Sequence, residues 1–212
     1  MKICKVDGCN DKAHGKGYCN KHYRQFKRYG KVKRTLKDPN EIILYDNYAE
    51  IILYDINSNE KARTLIDLDD MHKVKKYKWC LDAYGYVRGG KEKKIQLHRF
   101  IMNCPNDMVV DHVNLNPLDN RKMNLRICTK QQNEMNRPLR NNNTSGITGV
   151  SLHKQTNKWR ACIQYNQKFI HLGLFDTKEE AIKAREQAEI KYFGEYRSVS
   201  YTHLRAHETD QY

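Results

Sequence analysis

The sequence predicts an α+β protein assembled from several small modules. Only 39% of its 212 residues are hydrophobic, which is thin for one large core. The opening segment is rich in cysteine and histidine, and later segments alternate apolar and polar residues as strands do. Two Thr-x-x-Gln/Glu patterns, typical of helix starts, each follow such a segment. We therefore expect a Cys/His-rich knuckle, a central strand–loop–helix unit and a three-stranded antiparallel sheet packed on one helix.

Charge and cysteine content restrict the classes of function. The formal charge of +14 indicates a polyanionic partner. No long apolar run or basic amphipathic helix favours membrane binding. Met1 leads directly into a Cys-rich segment, which does not resemble a signal peptide. Seven cysteines, an odd number, argue against a disulfide framework and favour a reducing compartment. These observations predict an intracellular, cytoplasmic protein.

Residues 1–30 are predicted to form a zinc knuckle and a basic linker. Soft ligands in two close pairs suit tetrahedral zinc, and the candidates are Cys4, Cys9, Cys19 and His22. Because so short a segment has little apolar core, a metal would supply folding free energy. His14 is an alternative ligand, and the competing interpretation is three free thiols beside a surface histidine. Residues 23–31 alternate basic and aromatic types, which suits either a phosphate backbone or a solvated linker.

Residues 40–97 are predicted to be a β-rich lead-in region. Strands are expected over 41–45, 51–55 and 85–88, with a short helix over 65–74 and a loop over 91–94. We expect the aromatic residues Trp79, Tyr84 and Tyr86 to pack a small core. No independent chemistry is evident in this region.

The central segment places an acid and a base side by side. Asp111 can give a hard oxygen ligand to a divalent cation, and His112 can take a proton from water at neutral pH. Residues 108–110 are apolar and predict a strand, whereas 114–120 predict a loop. Thr129 with Gln132 forms a capping box, so Asn133 lies in the first turns of a helix. From there its amide oxygen can serve as a second, uncharged ligand.

This segment resembles the phage and homing-type branch of the HNH endonucleases. Five motifs match in order: Leu97-His98-Arg99, Asp111-His112, Asp119-Asn120-Arg121, Asn124-Leu125-Arg126 and Thr129 to Asn133. The resemblance implies a ββα-metal nuclease over 97–138, preceded by a zinc knuckle of the kind found ahead of phage HNH domains. It also implies that His112 is the general base, that Asp111 and Asn133 bind Mg²⁺ or Mn²⁺, and that Asn124 braces the loop. We expect the arginines of these motifs to contact DNA, namely Arg99, Arg121 and Arg126.

After a polar linker, residues 146–197 predict three strands and a helix. The strands are expected over 149–153, 159–165 and 169–175, with turns at Asn157 and Asn166. Thr177 and Glu180 form a second capping box. The helix that follows carries small residues on one stripe and ends at Gly194, so it can lie close to the sheet.

The same segment resembles the DNA-binding domain of plant ethylene-response factors, the Apetala-two type. The match includes Gly149-Val150, Lys158-Trp159, Leu172-Gly173, Phe175-Asp176-Thr177 and Glu179-Glu180-Ala181. Such domains lay the three-stranded sheet in the major groove. The resemblance implies groove-facing positions at Ser151, His153, Arg160, Cys162, Gln164, Lys168 and His171. The plant domains carry more arginine at several of these positions, so few bidentate arginine–guanine contacts are expected.

Residues 198–212 resemble the conceptual translation of a transposon-end sequencing adapter. We predict that they are not native, and His203 and His207 receive no role. The remaining chain is interpreted as a metal-dependent endonuclease acting on double-stranded DNA, with no small-molecule substrate. The alternatives are a DNA-binding regulator with an inactive nuclease core and an RNA-directed nuclease.

Overall fold

A computed structural model describes residues 2–6, 9–35, 38–90 and 95–198. The predicted loop 91–94 and, apart from Ser198, the predicted adapter-derived tail lie outside these residues. The described chain divides into two compact units. One unit draws on Met1–Ile101 and Pro117–Lys122, and the other draws on Met102–Asn116 and Met123–Tyr212.

The first unit contains two small three-stranded antiparallel sheets, with strand orders β1-β2-β3 and β4-β5-β6. The bounds of its elements are α1 (Asn20–Tyr29), β1 (Ile42–Leu44), β2 (Ala49–Tyr54), β3 (Glu60–Ile66), α2 (Met71–Val74), β4 (Trp79–Leu81), β5 (Val87–Gly89), β6 (Ile95–Gln96) and α3 (Leu97–Met102). Core residues at most 1% exposed include Ile51, Leu53, Ile66 and Trp79. The first unit therefore has its own buried core, although its sheets are short.

Two predictions for the first unit are wrong. The expected helix over 65–74 is instead the end of β3, a 3-10 turn at Leu68–Asp70 and the four-residue α2. The backbone N–H of Leu65 donates to the Leu118 carbonyl at 2.9 Å, so a tertiary pairing overrides the local helical preference. Tyr84 is 86% exposed and does not join the core that contains Trp79.

The second unit joins a two-stranded hairpin and its helix to a three-stranded sheet and a longer helix. Its elements are β7 (Val109–His112), β8 (Leu125–Cys128), α4 (Lys130–Met135), β9 (Val150–His153), β10 (Lys158–Tyr165), β11 (Lys168–Phe175) and α5 (Lys178–Phe193). The larger sheet has the antiparallel order β11-β10-β9. Ala161, Ile163, Ala181 and Ala188 are buried between this sheet and α5. Small alanines thus let the helix approach the sheet closely.

The predicted α+β class is confirmed, because the described residues form small antiparallel sheets that alternate with short helices. Both predicted capping boxes are present, at Thr129 and Thr177. The turns between the three C-terminal strands place Asn157 and Asn166 at φ values of 52° and 50°. Asparagine tolerates this left-handed conformation better than most residues, which explains its value as a turn signal. Among the described helices, none is long and apolar enough to span a membrane.

Candidate active site

The β7–β8 hairpin sets the register of the candidate active site. Asp111 on β7 pairs directly with Arg126 on β8, and His112 pairs with Leu125. Residues directly opposite in an antiparallel pair project from the same face of the sheet, so the carboxylate and the guanidinium meet. Asp111 and His112 are 4% and 6% exposed. The acid and the base are therefore held in a largely buried hairpin.

Each oxygen of the Asp111 carboxylate has defined partners. Oδ2 accepts hydrogen bonds from Nε and Nη2 of Arg126 at 2.8 and 2.6 Å. Nδ2 of Asn136 donates to Oδ1 at 3.1 Å and to Oδ2 at 3.0 Å. Oδ2 thus carries the ion pair, whereas Oδ1 receives a single amide N–H. Because a carboxylate oxygen has two lone pairs, Oδ1 keeps acceptor capacity for another ligand.

Asn124 holds the loop that follows His112. Its side-chain Oδ1 accepts the backbone N–H of Asn114 at 2.9 Å, and its backbone carbonyl accepts the N–H of Val113 at 2.9 Å. The His112 carbonyl accepts the N–H of Leu115 at 2.9 Å, which closes a tight turn beyond the strand. These bonds constrain the backbone on both sides of Val113. Asn124 therefore contacts the backbone of this loop through both its side chain and its main chain.

Two asparagines lie on or next to helix α4, and Asn136 is the one whose side chain contacts Asp111. Asn133 lies on the helix and is half-buried, and its backbone N–H donates to the Thr129 carbonyl at 3.0 Å. Asn136 follows the helix end, is 4% exposed, and contacts both Asp111 and the His112 carbonyl, the latter at 3.0 Å. Asn136 was not among the site residues predicted from the sequence. Its position three residues after Asn133, the spacing of neighbours on a helix surface, is the signal that could have identified it.

A match to a known protein family falls on this hairpin and helix. Residues 103–135 match the family model described as "HNH endonuclease". Residues 103–135 form an HNH endonuclease domain. On this ground the chain is an enzyme, a nuclease of the hydrolase class. The match contains Asp111, His112, Asn124 and Asn133.

Two curated proteins resemble the chain. "Uncharacterized HNH endonuclease L560" of Acanthamoeba polyphaga mimivirus is 29% identical over 170 residues, which cover 77% of this chain and 87% of the viral protein. "Protein 3.8" of Escherichia phage T7 is 34% identical over 59 residues, or 28% of this chain and 49% of the phage protein. No solved structure matches the chain significantly. The first similarity extends well beyond the HNH domain.

Outside the HNH domain, the predicted zinc ligands come together in the first unit. The candidate ligand atoms of Cys4, Cys9, Cys19 and His22 all lie within 4.8 Å of one another. His22 directs Nδ1 at the sulfurs of Cys4 and Cys19, at 3.2 and 3.5 Å, and Cys9 Sγ lies 3.8 Å from Cys19 Sγ. Ligands about 2.3 Å from a tetrahedral zinc lie roughly 3.7 Å apart, so the spacing fits that ion. His14 lies outside the cluster, with its ring against Tyr23.

The thiols of this cluster differ in acidity. Burial raises the pKa of Cys4, but hydrogen bonds from the Cys19 backbone and His22 outweigh it and lower the pKa to about 6. A backbone hydrogen bond from Asp11 lowers the pKa of Cys9, but burial and the neighbouring thiols outweigh that bond and raise the pKa to about 11. Crowded thiols therefore resist ionising together in the metal-free state. A bound divalent cation would offset the repulsion between the thiolates, because its charge stabilises all of them at once.

The C-terminal sheet turns one face to α5 and the other away from it. Cross-strand pairs on the outer face are Arg160 with Ser151 and with Leu174, Cys162 with His171, Gln164 with Phe169, and Lys158 with His153. Six of the seven predicted groove-facing residues therefore share the outer face, namely Ser151, His153, Arg160, Cys162, Gln164 and His171.

Lys168 was predicted to lie on that outer face and does not. It pairs with Tyr165, whose ring packs on Tyr192 of α5 at a centroid distance of 5.4 Å. The turn at Asn166 and Gln167 fixes this register, and a shift of one residue moves a side chain to the opposite face. Phe169, which is 66% exposed, occupies the outer-face position instead. The charge expected from Lys168 is thus replaced there by an aromatic ring.

The arginines of the HNH motifs have different environments. Arg121 binds both oxygens of Asp119 through Nε and Nη2, each at 2.8 Å. Arg99 on α3 borders a cavity of about 450 Å³ that Arg88 and Gln96 also line. Arg126 pairs with Asp111, as described above. An intramolecular carboxylate thus engages two of the three arginines that were expected to contact DNA.

Proposed function

We propose that the chain is a metal-dependent endonuclease that hydrolyses double-stranded DNA, with His112 as the general base. The observation that carries this proposal is the buried Asp111–His112 pair within the HNH domain. Asn124 braces the loop beyond His112 and so fixes the backbone that carries the imidazole. His112 takes the proton of the attacking water, and the phosphodiester bond breaks as the new P–O bond forms.

The residues at Asp111 fit a hard divalent cation. A carboxylate oxygen and a carboxamide oxygen are the donors that Mg²⁺ and Mn²⁺ prefer. Oδ1 of Asp111 retains acceptor capacity, because Arg126 engages only Oδ2. We assign Asp111 and Asn133 as the residues that would hold the ion, with Asn136 orienting the carboxylate. When bound, the cation supplies Lewis-acid stabilisation of charge on the phosphate and on the leaving oxygen.

The outer face of the C-terminal sheet is the proposed duplex-binding surface. It presents Arg160, His153, His171, Gln164 and Ser151, which can donate hydrogen bonds to phosphates or base edges. The net charge of +14 favours a polyanion over any neutral ligand. Beside this sheet, the linker residues Arg137 and Arg140 border a cavity of about 670 Å³. The linker thus adds positive charge next to the proposed surface. We also infer that Arg99 and Arg121 contribute phosphate contacts.

The N-terminal cluster is proposed to bind one structural zinc ion. Four protein ligands would leave no coordination position open for water or substrate, which is typical of structural rather than catalytic zinc sites. The ion would fix the start of α1, because Cys19 precedes that helix and His22 lies in its first turn. The basic and aromatic residues of α1 would then be presented in a fixed orientation to nucleic acid.

Plasmid cleavage tests the proposed function. The purified chain is incubated with supercoiled plasmid in Mg²⁺, in Mn²⁺ and in neither, and the products are separated on a gel. We expect nicked or linear DNA only when a divalent cation is present. A chain that binds plasmid but never cuts it in any metal supports the regulator alternative. Cleavage of RNA in preference to duplex DNA would contradict the assigned substrate.

A further inference from the structure

Arg126 links the HNH hairpin to the end of the C-terminal helix. Its guanidinium donates to Oδ2 of Asp111 through Nε and Nη2, and its Nη1 donates to the carbonyl of Glu195. The carbon at the centre of the guanidinium lies 4.8 Å from the centroid of the Tyr196 ring. Glu195 and Tyr196 belong to the 3-10 turn Gly194–Tyr196, which directly follows α5. One side chain is therefore held by two separate parts of the same unit.

These contacts fix the orientation of Arg126. An arginine can place its fork across both oxygens of a carboxylate, and that geometry is the usual one for an arginine–carboxylate pair. Here both donors reach the same oxygen, Oδ2, while the third nitrogen turns to the Glu195 carbonyl. The Tyr196 ring lies against the planar group and adds a cation–π attraction. The turn after α5 thus holds one nitrogen and one face of the guanidinium, while the other two nitrogens donate to Oδ2.

Attachment of the modules does not require these contacts. Gln131 of α4 already donates to Asn166 at 2.5 Å, and Met135 packs against the core formed by Ile163, Ala188 and Phe193. These interactions join α4 to the sheet and helix at a different place. Arg126, in contrast, contacts Asp111, the carboxylate of the proposed catalytic site. This location points to a role in the catalytic site.

We propose that Glu195 and Tyr196 are positioning residues of the nuclease, so that the C-terminal module completes the metal site. By holding Arg126 on Oδ2, they keep Oδ1 of Asp111 open for the divalent cation. Without them, Arg126 is expected to straddle both oxygens and to compete with the ion. The inference rests on the proposed function, since it concerns the cation assigned to Asp111. Loss of a residue that directly orients a metal ligand, as Arg126 orients Asp111, typically lowers metal affinity by about 10-fold or more, and we expect an effect of that order when Arg126 is no longer held in place.

The test compares three substitutions in the full chain. Tyr196→Leu removes the ring but keeps apolar bulk, and Tyr196→Phe keeps the ring and loses only the hydroxyl. Tyr192→Leu removes a different ring from the same module, one that packs on Tyr165 and not on Arg126. Mn²⁺ binding is followed by electron paramagnetic resonance, and the site is defined as the binding lost in Asp111→Ala. Plasmid cleavage is measured over the same range of Mn²⁺ concentrations.

We expect Tyr196→Leu to raise the Mn²⁺ dissociation constant about 10-fold and to shift the cleavage curve equally. Tyr196→Phe should match the wild type. Tyr192→Leu should lower the melting temperature and leave the dissociation constant unchanged. Unchanged Mn²⁺ binding in Tyr196→Leu, or an equal loss in Tyr192→Leu, would overturn this proposal alone. A wild-type chain with no Mn²⁺ site at Asp111 would overturn the proposed function as well.

Discussion

Asp111 and Arg126 face each other across the β7–β8 hairpin, joined by two hydrogen bonds to a single carboxylate oxygen. Asn136 reaches the same carboxylate from the end of α4. Asp111 is therefore oriented by side chains from two places in the fold, strand β8 and the end of α4. Some residues of the site thus orient others, whereas different residues are proposed to carry out the reaction. Substitutions can distinguish the two roles by their effects on stability and on cleavage.

Asn136 and Asn133 should have different roles. Asn136→Ala removes one donor from the buried Asp111 carboxylate and one from the His112 carbonyl, so it should lower the free energy of unfolding by about 1–3 kcal/mol. Asn133→Ala, on the half-buried part of α4, should change that free energy by no more than about 0.5 kcal/mol but should reduce cleavage. Urea denaturation and plasmid cleavage of both variants provide the comparison. Equal stability of the two variants would contradict the bracing role of Asn136.

The N-terminal cluster should contain one zinc ion per chain. Elemental analysis of the purified protein should find it, and Cys19→Ser should lose it because only three ligands remain. Cys104→Ser is the matched control, since Cys104 lies outside the cluster and its loss should leave the zinc content unchanged. A chain without zinc whose N-terminal segment is still folded by NMR would rule out a structural ion.

The outer sheet face should account for much of the duplex affinity. In a His112→Ala background that prevents cutting, Arg160→Ala should weaken DNA binding and reduce the slope of log affinity against log salt by about 1. Lys168→Ala removes the same charge from the helix-facing side, where a smaller effect is expected. Fluorescence anisotropy over a range of salt concentrations measures both. If the two variants lose equal affinity, total charge rather than this face governs binding.

Local patterns predicted much of the fold. The two capping boxes, the asparagine turns and the alternation along 159–165 depend on neighbours in sequence, and the structure contains all of them. The zinc ligands were also identifiable from spacing, and the structure brings the four side chains together. In each case the chemistry of a few consecutive residues determines the geometry.

Long-range pairing explains what the sequence did not predict. The helix expected over 65–74 failed because Leu65 pairs with the distant Leu118. The Asp111–Arg126 contact depends on the register of two strands separated by a loop, and the Tyr196–Arg126 contact depends on the path of the whole C-terminal module. Lys168 lies on the helix-facing side and not on the predicted outer face, because the turn at Asn166 and Gln167 places it opposite Tyr165. Such relationships are properties of the assembled unit and leave little trace in a short segment.

The central claim is that His112 is the general base of a metal-dependent nuclease. The most direct measurement is the single-turnover cleavage rate of duplex DNA in Mg²⁺ for the wild type, His112→Ala and His72→Ala. His72 is an exposed histidine on α2 and serves as the matched control. We predict that His112→Ala lowers the rate by about 100-fold or more while DNA affinity and folding are retained. His72→Ala should cut at the wild-type rate. A His112→Ala chain that cuts as fast as the wild type would contradict the account.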